Sequence, residues 1–523
     1  MSNKTSMKGG ESGIDTLREQ SRQKDEEIER LRQIILNLQR AQFGQRSEKR
    51  KYVLDDGNQQ LSLFDTLEKT EDAPSPESSP NPEKEIRVSG HSRKKKRTLE
   101  ELCASLPVEE RIVDLPDDEK VNANGHALVC IGQEYIRTEL VLERAKAKVV
   151  KHYRKVYADR ELEQETGYSE VFKPVMPPPL LAHSYASASV VTDVLMKKYV
   201  DAMPLYRQEQ MWKRMGVALK RGTMANWVIQ VADLYLRPFW KRIRSELLTQ
   251  SAIHADETVM QVHKEKGRPD TSESRMWVYS SAKRASIQLR CFEYRESRSG
   301  KWAKAFLEGF SGVLITDGYS GYNKVQNAAH AGCWAHMRRK WLEAMPKGAD
   351  AKTCNVAQGY AFCNQLFELE RQFEKLTAEE RFIQRKEKSA PVLEAYWTWL
   401  NTISRPTGKL KDAVTYAQNQ KAHLCAFLEH GEIEISNNQV ENAIRPFVIG
   451  RKGWLFADTP QGAEASAIIY SLMETAKANN LQLDDYLLHL LSVLPERAEQ
   501  SKDFKIDDLL PWSEEMKSGF SAV

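Results

Sequence analysis

An ordered series of short apolar segments runs through residues 251–325 and restricts the chain to few folds. The segments "SAIHADETVMQV", "SRMWVYSS" and "SIQLRCFEYRE" are rich in β-branched and aromatic residues and predict a meander of three strands. The next segment, "SGKWAKAFLEGF", predicts a helix, and "GVLITDGYSGYNKV" predicts an apolar strand that ends at Asp317 and Gly318. Strand, strand, strand, helix and strand is the order expected of an α/β domain with a mixed sheet.

Two aspartates stand at unusual places in this series. Asp256 lies within the first predicted strand and Asp317, 61 residues later, at the tip of the fourth, although aspartate is depleted in strands. A carboxylate among apolar neighbours costs free energy unless an opposite charge answers it, and two adjacent carboxylates repel each other. If the first and fourth strands are neighbours, both carboxylates project at one spot, where Mg²⁺ would suit them because it prefers oxygen ligands.

Glu441 is a third candidate and lies in the basic, amide-rich segment "SNNQVENAIRPFVIGRKGW". Ser436 or Asn437 is expected to cap a short helix that ends before Pro446, because the residue before a proline disfavours helical geometry. Three carboxylates can hold two Mg²⁺ ions about 3.5–4 Å apart, one at the attacking oxygen and one at the leaving oxygen. Taken singly, a strand-edge aspartate, an Asp-Gly turn and a surface glutamate are the ordinary interpretations.

The bulk composition excludes several classes of protein. The chain of 523 residues has 77 basic and 73 acidic residues, a net charge of +4, so any nucleic-acid binding must come from local basic patches. The seven cysteines include no Cys-x-x-Cys pair, which favours a reducing compartment over a disulfide framework. Because no apolar stretch is long enough for a signal peptide or a membrane span, we expect a cytoplasmic protein without a membrane partner.

The first 97 residues contain no globular pattern. Residues 12–54 predict a polar helix with a heptad seam and a basic end, and hence a coiled coil that forms a homodimer or higher oligomer. A single amphipathic helix docked on its own domain fits the same pattern. Residues 55–97 predict a disordered linker rich in Pro, Ser and Glu. It ends in a basic run that could contact DNA phosphates, composed of Arg93, Lys94, Lys95, Lys96 and Arg97.

A small β-rich module is expected in residues 98–175, followed by a helical region in residues 176–245. Within the latter, the sequence predicts a helix-turn-helix: a helix from about Pro204 to Met215, a turn at Gly216, and a second helix capped by Thr223. An ordinary helical hairpin fits this local sequence too. If the second helix reads DNA, the residues at its N-terminal end would make the contacts, namely Lys220, Arg221, Thr223 and Asn226.

Five blocks, in this order, resemble transposases of the insertion sequence 66 family. They are "HADET" (254–258), "TDGYSGYN" (316–323), "CWAHMRRKW" (333–341), "NNQVENAIRPFVIGRKGWLFADT" (437–459) and "AIIYSLMETAKAN" (467–479). With "FGQRSEK" and "TMANWV", the resemblance covers residues from about 30 to 495. It implies an RNase H-like catalytic core of the Asp-Asp-Glu type, in which Asp256, Asp317 and Glu441 are the triad.

The resemblance also implies a division of the second half of the chain. The core would comprise residues 246–345 and 436–480, interrupted by a helical insertion (346–435) and followed by a C-terminal helical tail (481–523). In "CWAHMRRKW" and the Glu441 segment, the residues expected to line the active-site face or contact phosphates are His336, Arg338, Arg339, Arg445, Arg451 and Lys452. A packed histidine and solvated surface cations are the ordinary interpretations of these residues.

One feature of the family is missing from the sequence. Its members usually carry a cysteine-rich zinc-binding module after the basic linker, but only Cys103 and Cys130 remain in the matching region and they form no Cys-x-x-Cys pair. A tetrahedral zinc site requires four ligands with suitable spacing. We therefore expect the 98–175 module to fold without structural zinc.

The resemblance implies a bacterial, nucleoid-associated DNA transposase. Such an enzyme binds the terminal repeats of its element as double-stranded DNA, cleaves there with Mg²⁺ (or Mn²⁺), and joins the exposed 3′-hydroxyl to target DNA. Small accessory proteins encoded by the same element are expected partners. Two other functions stay open: an RNase H-like nuclease or resolvase that cuts without joining, and a dimeric DNA-binding regulator whose catalytic domain is inactive.

Overall fold

The computed structural model describes residues 147–155, 157–158, 171–346, 354–501 and 503–522. The predicted coiled coil, the linker and the basic run Arg93–Arg97 lie outside these residues, as do Cys103 and Cys130. Of the expected β-rich module, the structure describes two short strands, β1 (Tyr157–Ala158) and β2 (Val171–Phe172), which pair in antiparallel orientation.

Among the residues that the structure describes, four α-helices precede the main sheet. They are α1 (Ala188–Tyr199), α2 (Leu205–Arg214), α3 (Arg221–Val231) and, after a π-helical turn (Ala232–Leu236), α4 (Arg237–Leu247). The predicted helix pair is thus present as α2 and α3, and Gly216 between them has a φ of +81°, a conformation that glycine adopts without strain.

The predicted cap of the second helix is wrong. Helix α3 begins at Arg221, so Thr223 lies inside its first turn and its side chain makes no capping hydrogen bond. Instead, the backbone N–H of Arg221 donates to Glu209 Oε1 of α2 at 3.2 Å. A carboxylate from the preceding helix thereby satisfies one of the free N–H groups and the partial positive charge at the start of α3.

The sheet has the predicted mixed character. Its strands are β3 (Ala252–Val262), β4 (Glu273–Ser281), β5 (Arg290–Arg295), β6 (Val313–Thr316), β7 (Ala329–Gly332) and β8 (Phe456–Ala457). The spatial order is β5-β4-β3-β6-β7, with β8 pairing near the end of β3. The β3–β4 and β4–β5 pairs are antiparallel, whereas the β3–β6, β6–β7 and β3–β8 pairs are parallel. The sequence did not predict β7 and β8, because "AHAG" and "FA" are too short to show an alternating pattern.

The remaining helices follow the sheet strands along the chain. Helix α5 (Lys301–Phe306) connects β5 to β6, and α6 (Trp334–Ala344) follows β7. The segment predicted as a helical insertion contains α7 (Asn355–Gln372), α8 (Ala378–Gln384), a π-helical turn (Arg385–Ser389), α9 (Ala390–Asn401), α10 (Gly408–Asn419) and α11 (Lys421–Cys425). The chain ends with α12 (Asn438–Trp454), α13 (Pro460–Ala478), α14 (Leu483–Gln500) and α15 (Glu514–Phe520).

The prediction that Pro446 ends the Glu441 helix is wrong. Helix α12 continues through Pro446 to Trp454, although an internal proline removes one backbone hydrogen bond at a cost of about 3 kcal/mol. Buried apolar residues lie on both sides of the proline: Val440, Ala443, Ile444 and Phe447. Their packing accounts for the continuation, because tertiary burial of one face contributes more to helix stability than local preference does.

Different helices pack against the two faces of the sheet. Successive side chains of a strand point to opposite faces, so Ile253 and Ala255 pack with α4 and α5 in one apolar cluster. Met260 and Val262 of the opposite face pack with α12, α13, α14 and helices α1–α3. On that face, Ile315 and Ala331 join α6 and the insertion helices in a third cluster. Asp256 and Met260 are an even number of positions apart in β3, so their side chains point to the same face of the sheet. Asp256 therefore faces α12 and α6.

Candidate active site

Asp256 and Asp317 stand side by side because their strands are neighbours. Strand β6 pairs with β3 in parallel register, with Ala252 opposite Val313 and His254 opposite Ile315. Two residues farther along, the same register brings Asp256 level with Asp317, the first residue beyond β6. The condition on which the sequence prediction depended, adjacency of the first and fourth strands, is therefore met.

Local contacts hold the Asp317 turn in place. Its Oδ1 accepts a hydrogen bond from the backbone N–H of Tyr319 at 2.9 Å, and its carbonyl accepts one from the Tyr416 hydroxyl at 2.8 Å. Gly318 turns the chain away from the strand with a φ of +94°, in the left-handed region where a side chain would be strained. The insertion helix α10, which carries Tyr416, thus supports this turn directly.

Glu441 approaches the two aspartates from α12, the helix that packs on β3. Removal of Asp256 from water raises the pKa of its carboxyl well above the ordinary range, and the negative charges of Glu257, Asp317 and Glu441 raise it further. The three predicted carboxylates therefore share one electrostatic environment. Such an arrangement is unfavourable without a cation.

Asn437 ties α12 to the aspartate strand. Although it precedes the helix, its side chain makes no capping hydrogen bond, which corrects the expectation from the sequence. Its fully buried amide instead donates from Nδ2 to the Ala255 carbonyl at 2.9 Å, while Oδ1 lies 3.0 Å from His254 Nδ1. One side chain thus bonds two successive residues of β3 immediately before Asp256.

His254 completes this connection with Glu434. Its ring is fully buried, and Nε2 lies 2.8 Å from Glu434 Oε2. Because Asn437 Nδ2 is committed to a carbonyl, Asn437 Oδ1 is the acceptor that faces His254 Nδ1. Burial alone would raise the pKa of Glu434, but the hydrogen bond and the charge of His254 lower it.

Two helix N-termini meet beside Glu441. The backbone N–H of Trp334 donates to the Ile435 carbonyl at 3.0 Å, and that of Asn437 donates to Cys333 Sγ at 3.1 Å. Helices α6 and α12 therefore start at the same place, where their partial positive charges favour anionic groups. Burial raises the pKa of the Cys333 thiol to about 12, so it is a neutral thiol in this environment.

His336 and Arg339 of α6 face Glu441. His336 Nδ1 lies 3.6 Å from Glu441 Oε1, and Arg339 Nη2 lies 3.5 Å from Oε2. Burial lowers the pKa of His336, although the charge of Glu441 opposes that shift. Among the residues with described positions, one set of three metal-ligating side chains has its ligand atoms all within 4.8 Å of one another: Cys333, His336 and Glu441. The set of Asp256, Asp317 and Glu441 is more open, as repulsion between like charges favours.

The donor set fits divalent cations. Asp256, Asp317 and Glu441 offer carboxylate oxygens from three different elements, and Asp256 carries an uncompensated electrostatic cost. Glu441 Oε1 and His336 Nδ1 are buried without a hydrogen-bond partner. These two atoms lie 3.6 Å from each other, so a group bound between them would satisfy both.

Comparisons with known proteins agree with this geometry. The family model described as "Transposase IS66 family" matches residues 183–465, a range that holds Asp256, Asp317 and Glu441. Models described as "Transposase C of IS166 homeodomain" and "IS66 C-terminal element" match residues 30–111 and 471–512. The chain belongs to the IS66 transposase family. It is therefore a DNA transposase whose partner is DNA, and transposases of this type use divalent metal ions.

Similar proteins occur in Sinorhizobium fredii. The IS66-family chain is 29% identical to the uncharacterized protein y4qI over 511 residues, which cover 94% of this chain and 89% of y4qI. It is 25% identical to the uncharacterized protein y4hP, with 91% of this chain and 87% of y4hP covered. Within the described ranges of the transposase, no helix has the length and apolarity needed to cross a membrane.

The basic residues predicted for the transposase site divide into two groups. Arg339 contacts Glu441, but Arg338 donates to Asn364 Oδ1 at 2.6 Å and to the Tyr360 hydroxyl at 2.9 Å, both on α7. Arg338 therefore faces α7 rather than Glu441, because side chains two positions apart on a helix, such as those of His336 and Arg338, do not share a face.

The basic residues of α12 lie in its middle and in its last turn. Arg451 donates to Thr258 Oγ1 of β3 at 3.2 Å, two residues after Asp256 in the strand. Arg445 is half-buried one turn after Glu441, and Lys452 is exposed in the last turn. In the helix pair, Lys220, Arg221 and Asn226 are exposed, whereas Thr223 is half-buried.

Sequence reasoning missed four residues of the transposase site: His254, Glu257, Cys333 and Asn437. All four lie inside the quoted blocks "HADET", "CWAHMRRKW" and "NNQVENAIRPFVIGRKGWLFADT", but nothing local shows that they meet. Glu257 Oε1 accepts from Arg298 and Oε2 from Tyr322, each at 2.6 Å. Burial raises the pKa of Glu257 even so.

Proposed function

We propose that Asp256, Asp317 and Glu441 are the catalytic triad of an RNase H-like core that cleaves DNA at the ends of the element and joins it to target DNA. The observation that carries this proposal is the convergence of three carboxylates from β3, the end of β6 and α12, with their charges acting together on Asp256. The sheet order β5-β4-β3-β6-β7, with β6 and β7 parallel to β3, supports an RNase H-like assignment.

The same three carboxylates would hold the divalent cations. Their hard oxygen donors favour Mg²⁺, for which Mn²⁺ can substitute. When bound, two such ions neutralise charge at the scissile phosphate and activate the attacking water or 3′-hydroxyl. Asp256 lies on β3, and Asp317 follows the neighbouring strand β6. The sheet therefore fixes the spacing of the two carboxylates before DNA binds, so they need little reorganisation.

Residues around the triad would orient the DNA backbone. Arg339 lies beside Glu441 with its side chain 52% exposed, so it can contact a phosphate without losing its position. The N-termini of α6 and α12 present backbone N–H groups and positive dipole ends to the same place. Arg451, held by Thr258, adds positive charge along β3, while Arg445 and Lys452 extend it along α12.

Sequence-specific contacts with the element's ends belong to a different surface in this proposal. Helix α3 presents Lys220, Arg221 and Asn226 to solvent at its start, where a recognition helix contacts bases and phosphates. Oligomerisation through residues 12–54, the basic run and the need for accessory proteins stay predictions from the sequence.

The decisive experiment compares wild type and Asp256→Asn in cleavage and joining of DNA that carries the element's own ends, with Mg²⁺. We expect Asp256→Asn to bind the DNA but to lose detectable cleavage, while Asp412→Asn, an exposed substitution on α10, cleaves like wild type. Undiminished cleavage by Asp256→Asn would refute the triad. Cleavage by the wild type without a joined product would favour a nuclease. DNA binding by the wild type without any cleavage would favour a DNA-binding regulator.

A further inference from the structure

Beside the aspartate pair, the transposase carries a second type of ligand set. We propose that Cys333, His336 and Glu441 form a binding position for a borderline transition-metal ion of the Zn²⁺ or Co²⁺ class, distinct in chemistry from the Mg²⁺ ligands. The inference deepens the proposed function and rests on it only in so far as Glu441 serves both sets.

The spacing of the ligand atoms suits coordination better than hydrogen bonding. His336 Nδ1 and Glu441 Oε1 are 3.6 Å apart, and Cys333 Sγ lies within 4.8 Å of one ligand atom of each of the two residues. Two ligand atoms bound about 2.0–2.3 Å from one tetrahedral ion lie roughly 3.3–3.7 Å from each other. The imidazole and the carboxylate are thus too far apart for a hydrogen bond and at the separation that one shared ion requires.

The two atoms that face each other have no other partner. Both His336 Nδ1 and Glu441 Oε1 are buried and unpaired, whereas Glu441 Oε2 lies near Arg339. Each buried polar atom without a partner costs about 1–3 kcal/mol of stability. One group that binds both atoms would remove both costs. An ion would satisfy both of them.

The backbone fixes all three ligands before an ion binds. Cys333 immediately precedes α6, and His336 lies in its first turn, so both ligands come from one helix end. Glu441 lies in the first turn of α12. The hydrogen bond from the Asn437 N–H to Cys333 Sγ holds the two helix ends together. Little conformational entropy would therefore be lost on binding.

The donor types select the class of ion. Ion binding would displace the thiol proton of Cys333 to solvent, and the resulting thiolate sulfur, like imidazole nitrogen, suits Zn²⁺ and Co²⁺. Mg²⁺ instead takes oxygen ligands in octahedral geometry. Three protein ligands leave one tetrahedral position open, the pattern of reactive rather than structural zinc sites. A DNA phosphate oxygen or water could occupy that position next to the aspartates.

The test is a Co²⁺ titration of the metal-free, full-length transposase, followed by absorption spectroscopy. We expect visible d–d bands together with a near-ultraviolet band from thiolate-to-cobalt charge transfer. Cys333→Ser should remove the charge-transfer band, and His336→Ala should weaken Co²⁺ binding by at least about tenfold. Cys425→Ser and His489→Ala, a thiol and an imidazole elsewhere, should change neither.

Two outcomes would overturn the inference: absence of the charge-transfer band in wild type, or unchanged Co²⁺ affinity in His336→Ala. If Cys333→Ser does not fold, as judged by circular dichroism, cobalt X-ray absorption of the wild type decides instead. A sulfur scatterer at about 2.3 Å supports the site, and a shell of oxygen and nitrogen alone contradicts it. Mg²⁺-dependent cleavage without a cobalt–thiolate band would reject this site while leaving the proposed triad intact.

Discussion

Asp256 illustrates how a single residue can work against the stability of the fold that contains it. It is half-buried on a strand of the sheet, and the charges of Glu257, Asp317 and Glu441 all oppose its ionisation. Asp317, by contrast, lies on a turn where a backbone N–H donates to its carboxylate. The metal-free transposase therefore carries an electrostatic cost that a bound cation would remove, as expected of a site arranged for binding rather than for stability.

Replacement of Asp256 by asparagine should stabilise the metal-free protein. The folded-state pKa of Asp256 is raised, so the folded chain holds this proton more tightly than the unfolded chain, and ionisation destabilises the fold as pH rises above the ordinary carboxyl range. We expect Asp256→Asn in chelator at pH 7 to melt higher, by about 2–4 °C for each kcal/mol of repulsion removed. The advantage should shrink as pH falls toward about 4.

Thermal unfolding with and without Mg²⁺ checks this prediction. Glu496→Gln, an exposed carboxylate on α14, serves as the control and should leave the melting temperature unchanged in chelator. Mg²⁺ should raise the melting temperature of wild type but not that of Asp256→Asn. An Asp256→Asn protein that melts below wild type in chelator at pH 7 would contradict the electrostatic interpretation.

At the scale of elements, the site depends on the junction between β3 and α12. Asn437, His254 and Glu434 join the strand that carries Asp256 to the helix that carries Glu441. All three bonded groups lie behind the site. Their function in this arrangement is positional, because small displacements of a carboxylate ligand change the distance at which it can bind a cation.

Asn437→Ala should therefore lower the free energy of unfolding far more than Asn438→Ala does. The substitution leaves the Ala255 carbonyl and His254 Nδ1 buried without partners, at about 1–3 kcal/mol for each group. Urea unfolding monitored by tryptophan fluorescence should show a loss of roughly 2–4 kcal/mol in the free energy of unfolding. Asn438→Ala, the adjacent half-buried amide, is the matched control and should cost under about 1 kcal/mol; equal losses in both variants would refute the role of Asn437.

Features that depend on local interactions could be predicted from the sequence, whereas features that depend on distant contacts could not. Alternating β-branched residues predict β3, β4 and β6, but the sequence gives the adjacency of β3 and β6 only as a condition. The sheet order meets that condition and brings Asp256 beside Asp317. The Asn437–His254 hydrogen bond joins residues 183 positions apart and has no local signal. The continuation of α12 through Pro446 could not be predicted either, because it depends on burial against the rest of the core.

At the scale of the whole molecule, the insertion supports the segment that leads into α12 and the proposed active site. Arg385 is fully buried and binds both oxygens of Glu370 with Nε and Nη2, at 2.8 and 2.6 Å. It also donates to the carbonyls of Phe427, His430 and Ile433. These three residues lead directly to Glu434 and Asn437, so one guanidinium fixes the segment that enters α12.

Arg385→Ala should loosen this segment and lower activity from a distance. Loss of one partner of a buried ion pair costs about 3–5 kcal/mol, since Glu370 and three carbonyls lose their donor. We expect faster amide hydrogen exchange in residues 427–437 and reduced Mg²⁺-dependent cleavage. Arg371→Ala, whose ion pair with Glu368 is exposed, should change neither. Unchanged exchange in Arg385→Ala would show that the insertion does not support this segment.

DNA binding by the helix pair has a quantitative signature. If Lys220 and Arg221 contact phosphates, their joint replacement by alanine should lower affinity and reduce the slope of log K against log salt by about 1.8, or 0.9 for each contact. Fluorescence anisotropy with the element's end over a range of salt concentrations measures this slope. Lys411→Ala on the insertion is the control. If the slope does not change in the double variant, DNA binds to a surface other than the start of α3.

The packing of α1–α3 against α13 and α14 also has a consequence for the order in which the protein is made. The ribosome releases these N-terminal helices long before it makes the C-terminal helices that complete their core, and Glu441 likewise follows the whole insertion. A nascent chain or a prematurely terminated product thus lacks both a finished helix pair and a complete carboxylate set. If the helix pair and the three carboxylates act as proposed, late synthesis of one segment, residues 436–500, delays DNA recognition by the helix pair and DNA cutting together.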